Sequence, residues 1–445
     1  MDKNCKINWL YIISIKEFQN NLNLNLLKEI SMVSKLTRDK LNPLLFKNLK
    51  LSLVSIKFDS NVINMAYDMQ HGYSTYDYSA LRDENNGSIE NSLNEYINAI
   101  DDIKKYTKSF YLTYNQRVGY YLYPIVKVFD NLTELKIFIC DFPFGALVGI
   151  GKTLPNLNRL EMQGVNLVKS TNDTISESNI AFPPKLSYMK LFSLRVTSST
   201  LLYDPYEYLF NFEDHEYFYE HFTLPKISIP SLKRLDFKPK DDENHRIEEF
   251  LEANPNVESL LTRDYKLNVS NSLNALKSLD IDECISFNNI DQDFRLNSIN
   301  SLILSTRNFS NSENIIKLCQ LCPNLANLSI SFLRIISNLQ PIIDNFLVPI
   351  SSNLNNLKSL ALFNVIFDTN GHTLDFSKLA HIKKLLINLN YGSVLNIKFD
   401  NCKSLKIIEL LCFEDSFTDE FKMNLNQHNN WKFKFSKYGV KGYKI

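Results

Sequence analysis

Apolar residues recur along most of the chain in one short pattern: an aliphatic residue, two variable residues, an aliphatic residue, one variable residue and a last aliphatic residue. The first positions of eleven such units are Leu132, Leu157, Leu186, Leu232, Val257 (a weaker match), Leu276, Ile299, Leu325, Leu357, Ile382 and Leu405. The last two apolar positions are two residues apart, so they point to the same face of a short strand. One strand cannot bury that face alone, and the pattern therefore predicts units that stack side by side.

The segments between these predicted strands have room for a returning helix. The clearest example has apolar residues at helical spacing from Ile315 to Leu321, and Cys322-Pro323-Asn324 ends it. Asn or Cys also stands eight residues after the first aliphatic position at Cys140, Cys284 and Asn390, where it can bond loose backbone groups in the turn.

These features together resemble the leucine-rich repeat, in the longer, ribonuclease-inhibitor-like form found behind F-boxes. The resemblance covers about residues 105–430. It implies an α/β solenoid that is curved and carries parallel strands on its concave face.

The N-terminal residues lack the repeat pattern. Apolar residues between Leu26 and Leu36 fall at helical spacings and predict a short amphipathic helical bundle. Leu27 and the run from Ile30 to Lys35, followed by Arg38, resemble the end of an F-box, and Pro43-Leu44-Leu45-Phe46 matches its strand lead. Trp9-Leu10-Tyr11-Ile12 stands where that family begins with Leu-Pro-x-Glu.

The F-box resemblance implies binding to a Skp-type adaptor of a cullin–RING ubiquitin ligase. The apolar residues expected to bind the adaptor are Leu10, Ile13, Leu26, Leu27, Ile30, Val33 and Leu36. The alternative is that these helices only cap the open end of the repeat array, which every such array needs.

The predicted organisation has four parts: an F-box-like helical module at 1–50, a linker with irregular first repeats at 51–104, the repeat array at 105–430, and a capping strand with a basic tail at 431–445. Two segments stand out from it. Tyr203–Phe222 combines six acidic residues with nine Tyr or Phe and no Lys or Arg, which suits either a basic partner or an elaborated helix with its aromatics inward. Trp431–Phe435 alternates apolar residues with Lys and predicts an edge strand whose lysines hinder pairing with another strand. The alternative is a patch that binds phosphate or nucleic acid.

The residue between the last two aliphatic positions of each unit should face away from the core. In chain order these residues are Lys136, Glu161, Lys190, Asp236, Leu261, Asp280, Ile303, Ser329, Ala361, Leu386 and Glu409. The early ones are mostly charged with alternating sign and can pair across neighbouring strands. We therefore expect a substrate to bind the later ones, Ile303, Ser329, Ala361 and Leu386.

Composition narrows the function further. The chain has 445 residues, with 49 Lys+Arg against 49 Asp+Glu, so its net charge does not attract nucleic acid or an anionic membrane. Seven scattered Cys favour an intracellular protein, cytoplasmic or nuclear. The sequence has no run of about 18 apolar residues, so we expect no membrane span. From the balanced charge we expect no nucleic-acid binding.

No catalytic motif is complete, so the sequence predicts no enzyme, cofactor or metal site. Cys319-x-x-Cys322, for example, has no second ligand pair at a matching distance and is expected to pack in the core. The predicted function is substrate recognition within an SCF-type ubiquitin ligase. The alternative is a ligase-independent repeat scaffold or an inhibitor-like binding protein.

Overall fold

A computed structural model describes most of the chain. The described residues are 12–13, 15–52, 61–70, 88–129, 131–210, 217–240, 246–263, 274–282, 295–306, 312–334, 339–366, 372–379, 381–391, 394–399, 402–412 and 419–445. Leu10, among the predicted adaptor-binding residues, and Cys284 lie outside them. The chain forms two compact units: unit 1 is Met1–Leu232 with Pro239–Arg246, and unit 2 is Lys233–Lys238 with Ile247–Ile445.

The helices are short and lie between strands or at the N-terminus. They are α1 Lys16–Asn20, α2 Leu24–Met32, α3 Lys35–Leu45, α4 Asn61–Gln70, α5 Ser88–Ile100, α6 Val118–Val126, α7 Phe144–Val148, α8 Ile150–Thr153, α9 Pro205–Phe210, α10 Ile247–Ala253, α11 Ser312–Leu321, α12 Gln340–Ile342, α13 Val348–Asn353 and α14 Asp419–Asn426. A π-helical turn, Ile343–Leu347, joins α12 to α13. Among the described residues, every helix is too short or too polar to cross a bilayer.

The strands follow the repeat pattern. They are β1 Asn48–Leu51, β2 Ser109–Gln116, β3 Glu134–Pro143, β4 Arg159–Gln163, β5 Asn166–Ser170, β6 Tyr188–Phe192, β7 Arg195–Ser199, β8 Tyr217–His221, β9 Arg234–Lys238, β10 Ser259–Arg263, β11 Ser278–Asp282, β12 Ser301–Thr306, β13 Asn327–Phe332, β14 Ser359–Ile366, β15 His372–Asp375, β16 Lys384–Tyr391, β17 Val394–Lys398, β18 Ile407–Cys412, β19 Trp431–Ser436 and β20 Gly439–Lys444.

Unit 1 contains two ladders of parallel strands. The first runs β1, β2, β3, β4, β6, with equivalent repeat positions opposite each other, as in Leu135↔Leu160↔Met189. The second runs from the end of β3 through β5 to β7, where β8 adds antiparallel. The second ladder exists because the chain turns after each short strand and then runs extended again.

Unit 2 contains one long parallel ladder in the order β9, β10, β11, β12, β13, β14, β16, β18. The hairpin β19–β20 ends it, because β20 pairs antiparallel with β18 and β19 pairs antiparallel with β20. A separate two-stranded parallel sheet is formed by β15 and β17.

The core is built from the predicted aliphatic positions. In all eleven units the pattern residues are buried, for example Leu160 and Leu302 at 0% exposure. Each fully buried Leu or Ile contributes about 1.5–3 kcal/mol relative to an exposed one, so these positions dominate the folding free energy. The predicted stacking of short parallel strands, with the aliphatic positions in a shared core, is therefore confirmed by strand position, burial and register.

Two details differ from the sequence prediction. Pro43 and the two leucines after it end α3 rather than lead into a strand, and the Phe46 N–H donates to the Asn42 carbonyl to close that helix. The parallel ladder also includes the short β1, which starts inside the predicted N-terminal module, and β2, which lies in the predicted array but outside the eleven units. The predicted edge strand at Trp431–Phe435 is β19, since β20 lies between it and β18.

In several repeats a left-handed residue stands two positions after the last aliphatic residue, either within the strand or directly after it. The residues that share this conformation are Tyr114 (φ 55°), Ile139 (49°), Gly164 (61°), Ser193 (52°) and Asn364 (54°). Gly and Asn adopt it readily, whereas a β-branched residue such as Ile139 is strained there. The turn is therefore imposed by the repeat rather than by the local residue.

Candidate functional site

The four residues predicted to bind a substrate lie side by side in unit 2. Ile303 pairs with Ser329, Ser329 with Ala361, and Ala361 with Leu386, each on a neighbouring parallel strand. We call these four residues the uncharged row. Strands in such a ladder are about 4.8 Å apart, so the row is about 14 Å long.

The uncharged row faces away from the core because its strand neighbours face inward. On β12, for example, Leu302 and Leu304 on either side of Ile303 are buried. Ile303, Ser329 and Leu386 are half-buried, and Ala361 is 9% exposed. The small Ala361 therefore leaves a shallow depression in the row. A bulky side chain at this position would project outward and clash with a bound partner.

Charged residues bound the uncharged row on the following strand. Glu409 is next after Leu386, and its carboxylate lies 3.6 Å from the Lys384 ammonium and 3.8 Å from that of Lys441. On the preceding strand, Asp280 pairs with Ile303. The row is therefore the uncharged part of a face whose ends carry charge.

The corresponding face of unit 1 is a network of paired charges. The Lys136 ammonium lies 3.1 Å from Glu134 and 3.4 Å from Glu161, and Arg159 lies 3.0 Å from Glu134. Burial raises the pKa of Glu134, but hydrogen bonds from Ser109 and Lys136 and the charges of Lys136 and Arg159 outweigh it and leave the pKa below its usual value. The predicted pairing between Lys136 and Glu161 is confirmed.

The N-terminal helices divide their apolar residues between an inner and an outer face. The Asn23 side chain caps α2 by accepting from the Leu26 N–H at 2.9 Å, and Ser34 with Thr37 forms a capping box on α3. Leu27 (8% exposed) and Leu41 (0%) are buried. These caps and inward leucines fix how the two helices pack.

Five large apolar residues of these helices and of the turn between them are exposed. We call these five the N-terminal patch: Leu24, Leu26, Met32, Val33 and Leu36, which are 42–77% exposed. Of the predicted adaptor-binding residues, Leu26, Val33 and Leu36 belong to this patch. Leu27 faces inward, and Ile13 and Ile30 are half-buried.

A buried polar cluster in unit 1 could not be found from the sequence. The fully buried Asp141 accepts from the Tyr208 hydroxyl at 2.6 Å and from the Asn166 amide at 2.8 Å. Burial raises the pKa of Asp141, and the two hydrogen bonds and the nearby Arg117 charge lower it in part. Arg117 also donates to the Tyr208 carbonyl at 3.0 Å.

The Asp141 cluster lies beside a cavity of about 260 Å³ that Arg117 and Asn166 also line. Within the described part of the chain, the Asp141 carboxylate hydrogen-bonds to Tyr208 and Asn166, and these bonds attach α9 to the second ladder. The arrangement is therefore a structural tie between segments distant in sequence.

The acidic–aromatic segment splits into two parts. In α9 the aromatic residues Tyr206, Tyr208 and Phe210 are buried, as expected for a helix with its aromatics inward. On β8, in contrast, Phe218 and Tyr219 are more than half exposed. Residues 211–216 between them lie outside the described part of the chain.

The two cysteines of the Cys-x-x-Cys pair are both buried, Cys319 near the end of α11 and Cys322 just after it. Burial raises the pKa of both thiols, that of Cys322 to about 12. Such thiols are poor ligands and nucleophiles near neutral pH, because the thiolate is the reactive form. The prediction that they pack in the core is confirmed.

Comparisons with known proteins place the chain near other repeat structures at low similarity. No family model and no curated protein matches it. It resembles CroV588, a circular leucine-rich-repeat protein, at 15% identity and a TM-score of 0.34, over 74% of this chain and 50% of that one. The chain thus spans about half the length of CroV588.

Two further solved structures show a similar level of likeness. An internalin from Listeria monocytogenes matches at 11% identity and a TM-score of 0.29, over 63% of this chain and 81% of that one. TLR13, solved in complex with ssRNA13, matches at 15% identity and a TM-score of 0.30, over 72% of this chain and 57% of that one. These TM-scores are too low to assign a function, and the repeat architecture rests on the chain's own strand register.

Proposed function

We propose that the chain is a repeat scaffold that binds a protein partner on the uncharged row of unit 2. The observation that carries the proposal is the register of four neighbouring strands, which aligns four uncharged outward residues between charged ends. Uncharged residues at the centre of a patch with a polar rim are typical of protein interfaces.

We further propose that the N-terminal patch binds a second protein, a Skp-type adaptor of a cullin–RING ubiquitin ligase. Five large apolar side chains are exposed on two short helices whose inner faces are already packed. Several large apolar side chains exposed within a short segment are a feature of partner sites. The F-box resemblance supplies the identity of that partner, and the uncharged row would then hold the substrate for ubiquitination.

The adaptor proposal is tested by pull-down with a purified Skp-type adaptor. Val33→Asp and Leu36→Asp place a charge on residues that are more than half exposed, so both variants should remain folded. We expect each to weaken capture roughly tenfold, because a buried unpaired charge at an interface is costly. Asn25→Asp adds the same charge to the exposed part of α2 outside the patch and should leave capture unchanged. Full capture by both patch variants would exclude this surface as the adaptor site.

The uncharged row is tested by replacing its smallest member. Ala361→Arg should abolish capture of the partners that the wild-type chain enriches from cells, since the long side chain would occupy the shallow depression in the row. Ser352→Arg, on the exposed part of α13, is the matched control. Circular dichroism melting would verify that both variants fold. Identical partner sets for wild type and Ala361→Arg would contradict the proposal.

The two tests together separate the ligase function from its alternative. Adaptor capture that depends on Val33 supports the ligase. Partner capture that depends on Ala361, without any adaptor capture, identifies a ligase-independent scaffold instead.

A further inference from the structure

Four lysines form a ladder along one edge of unit 2. Lys358, Lys383 and Lys406 each stand directly before a strand of the parallel ladder (β14, β16 and β18), and Lys444 ends β20 beside Lys406. Their backbones are joined in series: the Lys383 N–H donates to the Lys358 carbonyl at 2.7 Å, Lys406 to Lys383 at 2.9 Å, and Lys444 to Lys406 at 3.0 Å. We call these four residues the lysine ladder.

The lysine ladder is not neutralised within the described part of the chain. All four side chains are exposed, and no carboxylate there lies within ion-pair distance of Lys358, Lys383 or Lys406. The acidic residue on the last of these strands, Glu409, is already paired with Lys384 and faces out three positions further along.

The same repeat position is neutralised earlier in unit 2. There it is occupied by Lys233, Glu258 and Lys277, and the Glu258 carboxylate lies 3.0 Å from the Lys233 ammonium and 2.7 Å from that of Lys277. Two lysine hydrogen bonds and the two positive charges hold the pKa of Glu258 below its usual value. The residue directly before the strand is thus part of a paired, alternating set of charges at β9, β10 and β11. At β14, β16 and β18 the same position holds lysines only, and these have no acidic partner in the described residues.

Like charges on neighbouring strands about 4.8 Å apart repel each other, and the repulsion weakens the fold. Within the described residues, the Lys444 ammonium donates to the Lys403 carbonyl at 3.2 Å, and no carboxylate offsets the repulsion among the four lysines. The lysine ladder does create a positive field along one edge of the sheet, which attracts anionic groups and orients them on approach.

The lysine ladder adjoins the uncharged row. Lys358 stands just before β14, three residues ahead of Ala361, and Lys383 stands just before β16, three residues ahead of Leu386, which is about 10 Å of extended chain. An extended partner segment whose apolar residues lie on the uncharged row would place residues about three positions away close to the lysine ladder. The row itself is aliphatic or small, and it offers no aromatic ring on which a nucleic-acid base could stack.

We propose that the lysine ladder binds the acidic side chains of an extended protein segment whose apolar residues lie on the uncharged row. The inference rests on the proposed function of that row and adds the chemical class of the partner. A segment of this kind has Asp or Glu residues beside a short run of small or aliphatic ones.

The test uses the full chain and labelled probes in fluorescence anisotropy. The first probe is a peptide with Leu-Ala-Leu between two blocks of Glu, the second carries Gln in place of every Glu, and the third is a single-stranded oligothymidine. Lys383→Gln with Lys406→Gln removes half of the ladder. Lys233→Gln with Lys277→Gln is the control, since it removes the same charge from the same repeat position where the lysines are already paired.

We expect the Glu peptide to bind and the Gln peptide to bind much more weakly, with an affinity that falls as salt rises. Lys383→Gln with Lys406→Gln should weaken the Glu peptide about fivefold, as expected for the loss of two exposed charge pairs, while the control variant stays close to wild type. Equal binding by the two double variants would overturn the inference. Tighter binding of the oligothymidine than of the Glu peptide would also overturn it and identify a nucleic-acid edge.

Ala361→Arg distinguishes failure of this inference from failure of the proposed function. Weaker Glu-peptide binding in Ala361→Arg, with no effect of the Lys383 and Lys406 changes, overturns the ladder and supports the row. The reverse pattern overturns the row as the docking surface and supports acidic recognition by the ladder.

Discussion

Tyr208→Phe should destabilise the segment of unit 1 that Asp141 holds together. The change removes only the hydroxyl, which donates to the Asp141 carboxylate at 2.6 Å, and it keeps the ring that packs against Tyr120 and Tyr121. Both Asp141 and Tyr208 are buried, so the carboxylate loses one of the two side-chain donors that hold it. A hydrogen bond to a buried charged group is worth about 1.5–3 kcal/mol.

Hydrogen exchange measured by mass spectrometry is the suitable assay, because it reports on peptides from β3 and α9 directly. A loss of about 2 kcal/mol corresponds to roughly thirtyfold faster exchange when exchange tracks the opening equilibrium. The control is Tyr203→Phe, whose hydroxyl bonds to Ser170 and Asn172 on an exposed part of the surface. Its effect should stay within about 0.5 kcal/mol.

The penalty should also depend on pH with a definite sign. Burial raises the pKa of Asp141, so the stability that this carboxyl contributes is full below the unfolded pKa of about 3.9 and is lost as pH rises through the folded pKa. The Tyr208 hydroxyl lowers that pKa, and its removal raises it further. The Tyr208→Phe penalty should therefore grow as pH rises from acid to neutral. Exchange no faster than in Tyr203→Phe, or a penalty independent of pH, would refute the reasoning.

Two further predictions concern the repeat turn and the buried cysteines. Ile139→Asn should stabilise the chain by about 1 kcal/mol, because Asn tolerates the left-handed conformation better than a β-branched residue, whereas Asn364→Ile should destabilise it. Thermal denaturation measures both, and shifts of the same sign would contradict the explanation. Cys319 and Cys322 should resist iodoacetamide in the folded chain and react once it is denatured, because burial raises the pKa of both thiols. Mass spectrometry that finds both alkylated under native conditions would disprove this.

The strands of the eleven repeat units could be predicted because each one depends only on local alternation. The two positions that are two apart point to the core, whatever the length of the connection before them. The unit at β2 lies in the predicted array but was not among the eleven units, because its first position is Thr107, which is polar yet buried. Its hydroxyl donates to the Phe46 carbonyl at 3.2 Å, and this bond lets a threonine occupy a core position.

The candidate sites were predictable to a lesser degree. The members of the uncharged row follow from the repeat register, since each occupies the same position in its unit. For the N-terminal helices, periodicity identified apolar residues but did not distinguish the buried Leu27 from the exposed Val33. That distinction depends on how α2 and α3 pack against each other, which helical spacing alone does not specify.

The sequence by itself determined the repeat, the residues that face the core and the residues that face outward, because side-chain direction along a strand alternates every two residues. Tertiary structure alone decided which distant groups meet. Asp141 and Tyr208 are brought together by the packing of α9 on the second ladder, and Lys444 joins the lysine ladder only because β20 returns antiparallel beside β18. Loops of unequal length separate these residues, so the contacts depend on the path of the whole chain and not on any local period.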